Sequence, residues 1–131
     1  TLFNETDIFL VNELELSALS EKPLLIDDIN SVKESIDSLQ LHDDQSIVVT
    51  LGSQGVYVHQ QGKNEFFSGH EVNAVDTTGS GDCFIGAMAS HMLLNKNLFE
   101  AAEFANKAAA LSVTKKGASI SMPNRQEVLD F

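Results

Sequence analysis

The sequence predicts an α/β fold with a mainly parallel sheet flanked by helices, and three observations carry that prediction. Short apolar runs with few charges, Asp7-Ile8-Phe9-Leu10-Val11-Asn12 and Ser46-Ile47-Val48-Val49-Thr50, read as strands buried on both faces, as parallel sheets require. Between them lies a stretch of helical periodicity over residues 27–41, where Ile29, Val32, Ile36 and Leu39 recur among Asp, Glu, Ser and Lys. Later, a glycine-rich stretch from Val75 to Asp82 opens directly into the apolar run Cys83 to Ala89. Strand alternating with helix, interrupted by one hairpin, is the signature of the class. Right-handed crossovers then set the ends of the first two strands and the 76–82 loop along one edge of the sheet.

The first strand ends on the polar Asn12. Glu13 to Ser20 reads as a short helix, stopped by the Lys22-Pro23 pair, because the residue before a proline avoids helical geometry. Asn12-Glu13-Leu14-Glu15 therefore sits at a strand's C-terminal end, where open α/β sheets bind ligands. Taken alone, such a tetrapeptide more often means a helix cap followed by a solvated acid. The helix over 27–41 is capped by Asp27 or Asp28. After the second strand, Thr50-Leu51-Gly52-Ser53-Gln54-Gly55 makes a glycine turn. Val56-Tyr57-Val58 and Glu65-Phe66-Phe67 follow as a hairpin, joined by a turn through Gln61-Gly62-Lys63-Asn64. Further helices are expected from Phe84 to Leu94, from an Asn97 cap to about Thr114, and from Asn124, with a loop over 115–123. Alanines at 101, 102, 105, 108, 109 and 110 imply close packing of the Asn97 helix. Asn106, polar inside that tract, is either a satisfied core amide or a ligand contact.

With 131 residues the chain is one domain at most, long enough to bury a sizeable core. Hydrophobic content of 43% and charged content of 21% are ordinary for a soluble globular protein. No apolar run reaches the ~20 residues of a membrane-spanning helix, and no signal peptide precedes the first strand, so a cytoplasmic location is expected. The single Cys83 excludes an internal disulfide, and His42, His59, His70 and His91 are too scattered for a zinc site. Net charge is −11, with residues 1–44 holding 11 acids and two lysines. Such acidity argues against nucleic acid or an anionic membrane as partner. It leaves ATP open, since magnesium partly neutralises that ligand.

The chemistry concentrates in Val75-Asp76-Thr77-Thr78-Gly79-Ser80-Gly81-Asp82. A helix start leaves backbone N–H groups unpaired and carries partial positive charge. Glycines let such a backbone approach an anion closely, which makes the Gly79–Gly81 turn a candidate phosphate cradle. A carboxylate beside a phosphate repels it, so Asp82 suits proton abstraction from an attacking hydroxyl. The alternative is an acid that merely complements the helix dipole. No Gly-Lys-Ser/Thr follows, so this is not a Walker A loop. The third glycine of a dinucleotide fingerprint is replaced by Phe84.

Asp76-Thr77-Thr78-Gly79-Ser80-Gly81-Asp82 resembles the D-T-x-G-A/S-G-D signature of the ribokinase-like carbohydrate kinases. Asn12-x-x-Glu15 and Thr50-x-Gly52-x-x-Gly55 resemble two further motifs of that family. The resemblance runs from about Asn4 to Phe131 and is strong again over Phe104 to Ala118. It implies a ribokinase-like fold of which this chain is the C-terminal, nucleotide-binding part, a single partial domain over residues 1–131. By that resemblance the sugar-binding half and a small β lid are not expected among these residues. The implied activity is ATP-dependent phosphorylation of a sugar's primary hydroxyl, D-ribose by preference. Fructokinase, adenosine or nucleoside kinase, and a non-catalytic nucleotide-binding fragment are the alternatives. By the same resemblance Asp82 is the base, and the amides of Gly79, Ser80 and Gly81 form the anion hole. Asn12 and Glu15 serve magnesium and the phosphates. The turn of Thr50, Leu51, Gly52, Ser53, Gln54 and Gly55 lines the ATP site with Gly81 and Asn106. A potassium site is implied at Asp76, Thr78, Ser112, Lys115, Gly117 and Ser121, mostly through backbone carbonyls. The resemblance also implies a homodimer for the full-length protein, and little or no sugar phosphorylation by this part alone.

Overall fold

The structure, a computed structural model, describes residues 8–21, 29–70, 80–95, 97–114 and 125–129. In chain order these form β1 (Ile8–Asn12), α1 (Glu13–Ser20), α2 (Ile29–Ser38), β2 (Ser46–Thr50), a 3-10 turn (Gly52–Gln54), β3 (Gly55–Gln60) and β4 (Lys63–Ser68). The helices α3 (Ser80–Asn95), α4 (Leu98–Ser112) and α5 (Arg125–Leu129) follow. The α/β class is therefore the observed one. The described sheet is mixed, in the order β1-β2-β3-β4. Its parallel part is the β1–β2 pair, with Asn12 opposite Thr50; β3 runs antiparallel to β2. None of the described helices is long and apolar enough to cross a membrane.

The chain divides into two compact units, one of Thr1–Gly52 and Val56–Phe66, the other of Ser53–Gly55 and Phe67–Phe131. In the first, Val11, Leu16, Val32, Ile36, Ile47, Val49, Leu51 and Tyr57 make a core, with Phe9, Ile29, Leu39 and Leu41 packed against it. The spacing of Val32, Ser35 and Ile36 puts one face of α2 into that core, as its periodicity predicts. β2 is buried from Ser46 to Val49, the continuous burial of a strand covered on both faces. The helix expected over 27–41 is shorter, and its caps Asp27 and Asp28 lie outside the described residues. The hairpin turn is tighter than expected. Gln61 and Gly62 alone make it, with φ of 51° and 77°, and Lys63 and Asn64 already belong to β4. Two successive left-handed residues give the turn whose twist matches the flanking strands. Across it, His59 Nδ1 and Asn64 Oδ1 lie 2.8 Å apart.

In the second unit α3 and α4 pack extensively on each other. Cys83, Phe104, Ala108 and Val128 form the cluster between α3, α4 and α5, with Ala87 and Leu111 against it. The His91 ring lies over Phe104, centroids 5.0 Å apart. Asn97 caps α4 as expected, its Oδ1 accepting from Glu100 N at 3.1 Å. Two boundaries differ from expectation. α3 starts at Ser80 rather than Phe84, so Ser80, Gly81 and Asp82 are its first turn and not a preceding loop. α4 stops at Ser112, where Thr114 N and Oγ1 both donate to Leu111 O and close the end. α3 carries a single charged residue, Asp82, and exposes Ile85, Leu93 and Leu94.

Candidate active site

In the first unit, the C-terminal edge of the parallel pair brings together Asn12, Glu15, Thr50, Leu51 and Gly52. Asn12 and Thr50 are register partners, and Thr50 Oγ1 donates to Val11 O at 3.4 Å. Asn12 also starts α1. Its Oδ1 accepts from Glu15 N at 2.8 Å, while Glu15 Oε1 accepts from Asn12 N at 2.9 Å. This reciprocal capping box satisfies two backbone donors that a helix start leaves unpaired. Both side chains are exposed, so an oxygen-rich corner with one negative charge faces solvent at the strand end. Buried Leu16, in the core on the next turn position, fixes the direction α1 takes away from that corner. Leu51 packs into the core, and Gly52 takes a φ of 60° to begin the 3-10 turn.

In the second unit, the remainder of the glycine turn, Ser53–Gly55, lies against the end of β4. Gly69 N donates to Gln54 O at 2.8 Å. The approach is so close that a side chain fits at neither glycine: a Cβ on Gly55 would run into Phe67 O, and one on Gly69 into Ser53 O. Gly55 moreover has a φ of 123°, which side chains rarely tolerate. From α4, Asn106 reaches the same strand end, its Nδ2 donating to Ser68 O at 3.0 Å. Asn106 is 8% exposed. Of its two expected meanings, the satisfied core amide is what its hydrogen bond supplies. Ser68 and Gly69 are residues that sequence reasoning overlooked. The only signal at Gly69 was the glycine itself, and Ser68 matters through its carbonyl, which every residue has.

Asp82 stands exposed in the first turn of α3, where a carboxylate complements the helix dipole. The next two residues turn inward: Cys83 and Phe84 are both buried, which holds the neighbouring carboxylate outward. Cys83 Sγ donates to Ala108 O at 3.5 Å. Burial pushes this thiol above its ordinary value, and a hydrogen bond with Ser112 opposes the shift. Ser112 Oγ also donates to Ala109 O at 2.7 Å, one turn back in its own helix. Gly79, Asp76, Thr78, Lys115, Gly117 and Ser121 lie outside the described residues. Among the described residues, no three His, Cys, Asp or Glu side chains gather as a metal cluster.

Residues 1–125 match the model of the pfkB family carbohydrate kinases. The chain belongs to that family. Similar pfkB relatives include the ribokinase of Haemophilus influenzae, 39% identical over 132 residues, which cover 99% of this chain and 42% of the relative. Fructokinase-1 of Oryza sativa is 33% identical over 98% of this chain and 40% of its own length. Among solved structures, Arabidopsis thaliana ribokinase complexed with ribose and ATP superposes with a TM-score of 0.84 at 34% identity. That match covers 98% of this chain and 41% of the other. Giardia lamblia ribokinase gives 0.82 at 34% identity, covering 98% and 44%. The chain thus spans about two-fifths of the length of the pfkB relatives it matches, and its sheet and helices are a partial ribokinase fold.

Proposed function

We propose that this chain carries the nucleotide-binding and proton-abstracting part of an ATP-dependent ribokinase, transferring the γ-phosphoryl group of ATP to the primary hydroxyl of D-ribose. The observation that carries this reading is Asp82: an exposed carboxylate in the first turn of a helix, within the Asp76–Asp82 signature of a pfkB chain. Relatives named ribokinase, at 37–39% identity in two bacteria, favour ribose. Relatives named fructokinase, at 32–33%, make fructose the second sugar to test.

In this reading Asp82 takes the hydroxyl proton as the hydroxyl oxygen bonds to the γ-phosphorus, and the bond from that phosphorus to the bridging oxygen of ADP breaks. Phosphoryl transfer asks for positioning and charge stabilisation more than covalent chemistry. In this reading the backbone N–H groups of Gly79, Ser80 and Gly81 would meet the developing charge. Losing one such donor typically costs on the order of 100- to 1000-fold in rate. In this reading the Ser53–Gly55 turn borders the nucleotide, with Asn106 beside it on α4. The exposed oxygens of Asn12 and Glu15 suit a hard cation such as magnesium, and two structural relatives are named with ATP and Mg2+ or ADP and calcium. Magnesium there would offset phosphate charge. A potassium ion is assigned to the carbonyls around Asp76, Thr78, Ser112, Lys115, Gly117 and Ser121. With the Ser112 hydroxyl donating to Ala109 O, Ser112 would contribute its carbonyl. The reading places the protein in the cytoplasm, as a homodimer when joined to a sugar-binding part.

Asp82→Asn tests it in a protein of full family length. ATP affinity is expected to stay near that of the parent, while turnover falls by about 100- to 10,000-fold. Turnover reduced less than tenfold in a coupled ADP-release assay means Asp82 is not the base.

A further inference from the structure

We infer that Asn106 is a positioning residue: through the carbonyl of Ser68 it holds the end of β4, and thereby the Ser53–Gly55 turn, in the shape that receives the nucleotide. The inference rests on the nucleotide reading above and specifies how one of its residues works. Three links, all inside the second unit, make the chain of contact. Asn106 Nδ2 donates to Ser68 O at 3.0 Å. The next residue, Gly69, donates its N–H to Gln54 O at 2.8 Å. Backbone meets backbone at Gly55 against Phe67 O and at Gly69 against Ser53 O, with no room for a Cβ on either glycine.

The turn at 53–55 therefore rests directly on residues 67–69. It has no side-chain cushion that could absorb a shift of that strand end. Ser68 is the last residue of β4, and its carbonyl accepts from Asn106 on α4. Asn106 is nearly enclosed and spends its amide N–H on that carbonyl. A buried amide so engaged sets a backbone position. Its effect on a nucleotide then passes through the turn and does not depend on which base the nucleotide carries.

The test uses the 131-residue chain with Asn106→Leu, which keeps side-chain volume and removes the donor, and Asn106→Gln, which keeps the donor. Hydrogen exchange of Gly69 N–H is expected to speed up at least tenfold in Asn106→Leu, with α3 amides unchanged, and to recover in part in Asn106→Gln. Affinities for Mg·ATP and Mg·GTP, by titration calorimetry, are expected to weaken together, their ratio constant within twofold. In the unaltered chain, the Asn106 side-chain amide and Gly69 N–H should exchange through one opening with the same denaturant dependence. This keeps the inference testable if Asn106→Leu does not fold. Unchanged exchange at Gly69, unrelated openings in the unaltered chain, or selective loss of ATP over GTP each overturns it; the last makes Asn106 a base contact. If neither nucleotide binds the unaltered chain or a full-length protein bearing it, the nucleotide reading falls, and the exchange result still decides whether Asn106 holds the turn.

Discussion

Asn12 and Glu15 combine a helix cap with an exposed position at the strand end. Glu15 Oε1 and Asn12 Oδ1 close the first turn of α1, and the pair presents oxygens to solvent at the strand end. The two tasks come apart under substitution. Glu15→Gln keeps a capping acceptor and removes the charge, so thermal stability should hold while the Mg·ATP affinity of the full-length protein falls at least several-fold. Asn12→Ala removes the cap itself and should cost about 0.5–2 kcal/mol of stability, read as a lower urea midpoint. If Glu15→Gln melts as early as Asn12→Ala and leaves Mg·ATP affinity unchanged, the motif is structural only. Two other single residues set a pH limit. Burial raises the Tyr57 hydroxyl, with Asp37 adding to the shift, and burial raises the Cys83 thiol. Below the ordinary thiol value of 9.0 both groups are protonated, folded or unfolded, and cost nothing. Above it the unfolded chain releases protons that the folded chain retains, which favours unfolding. Stability should therefore decline as pH rises from about 9, measured as urea midpoints across that range, and a midpoint flat or rising there contradicts these shifts.

At the level of elements, α1 was legible to the residue, because a polar cap, an apolar residue inside and a proline beyond mark it locally. The start of α3 was not, since glycines at 79 and 81 look like loop while Ser80 and Asp82 can equally open a helix. The hairpin turn was misplaced because Gln61, a residue with no special claim to positive φ, adopts one. The candidate site residues were named from motifs. What motifs did not reveal is how the turn at 53–55 is held, because that depends on backbone carbonyls of β4 brought close by folding. Gly55→Ala probes this contact. The new Cβ meets Phe67 O at a φ of 123°, so the variant should lose well over about 1 kcal/mol, with faster exchange at Gly69 N–H. A loss smaller than that means the strand end can move aside.

For the molecule as a whole, composition and architecture pull in opposite directions. Its sequence carries a net charge of −11, most of it in residues 1–44. Yet α3 has no charged residue after Asp82 and leaves Ile85, Leu93 and Leu94 52%, 85% and 65% exposed. A helix apolar on all sides is one that expects cover, and this chain is about two-fifths of its relatives' length. The colloidal behaviour of the chain follows from that contrast. Like charge keeps molecules apart at low ionic strength, where its reach is about 30 Å at 0.01 M salt. At 1 M salt the reach shrinks to about 3 Å, and apolar surfaces can meet. The second virial coefficient, by static light scattering, should pass from positive to negative as sodium chloride is added. With Ile85→Lys and Leu93→Lys combined, it should stay positive to higher salt. Adding salt, usually a way to loosen protein contacts, would here be the signal for solution attraction.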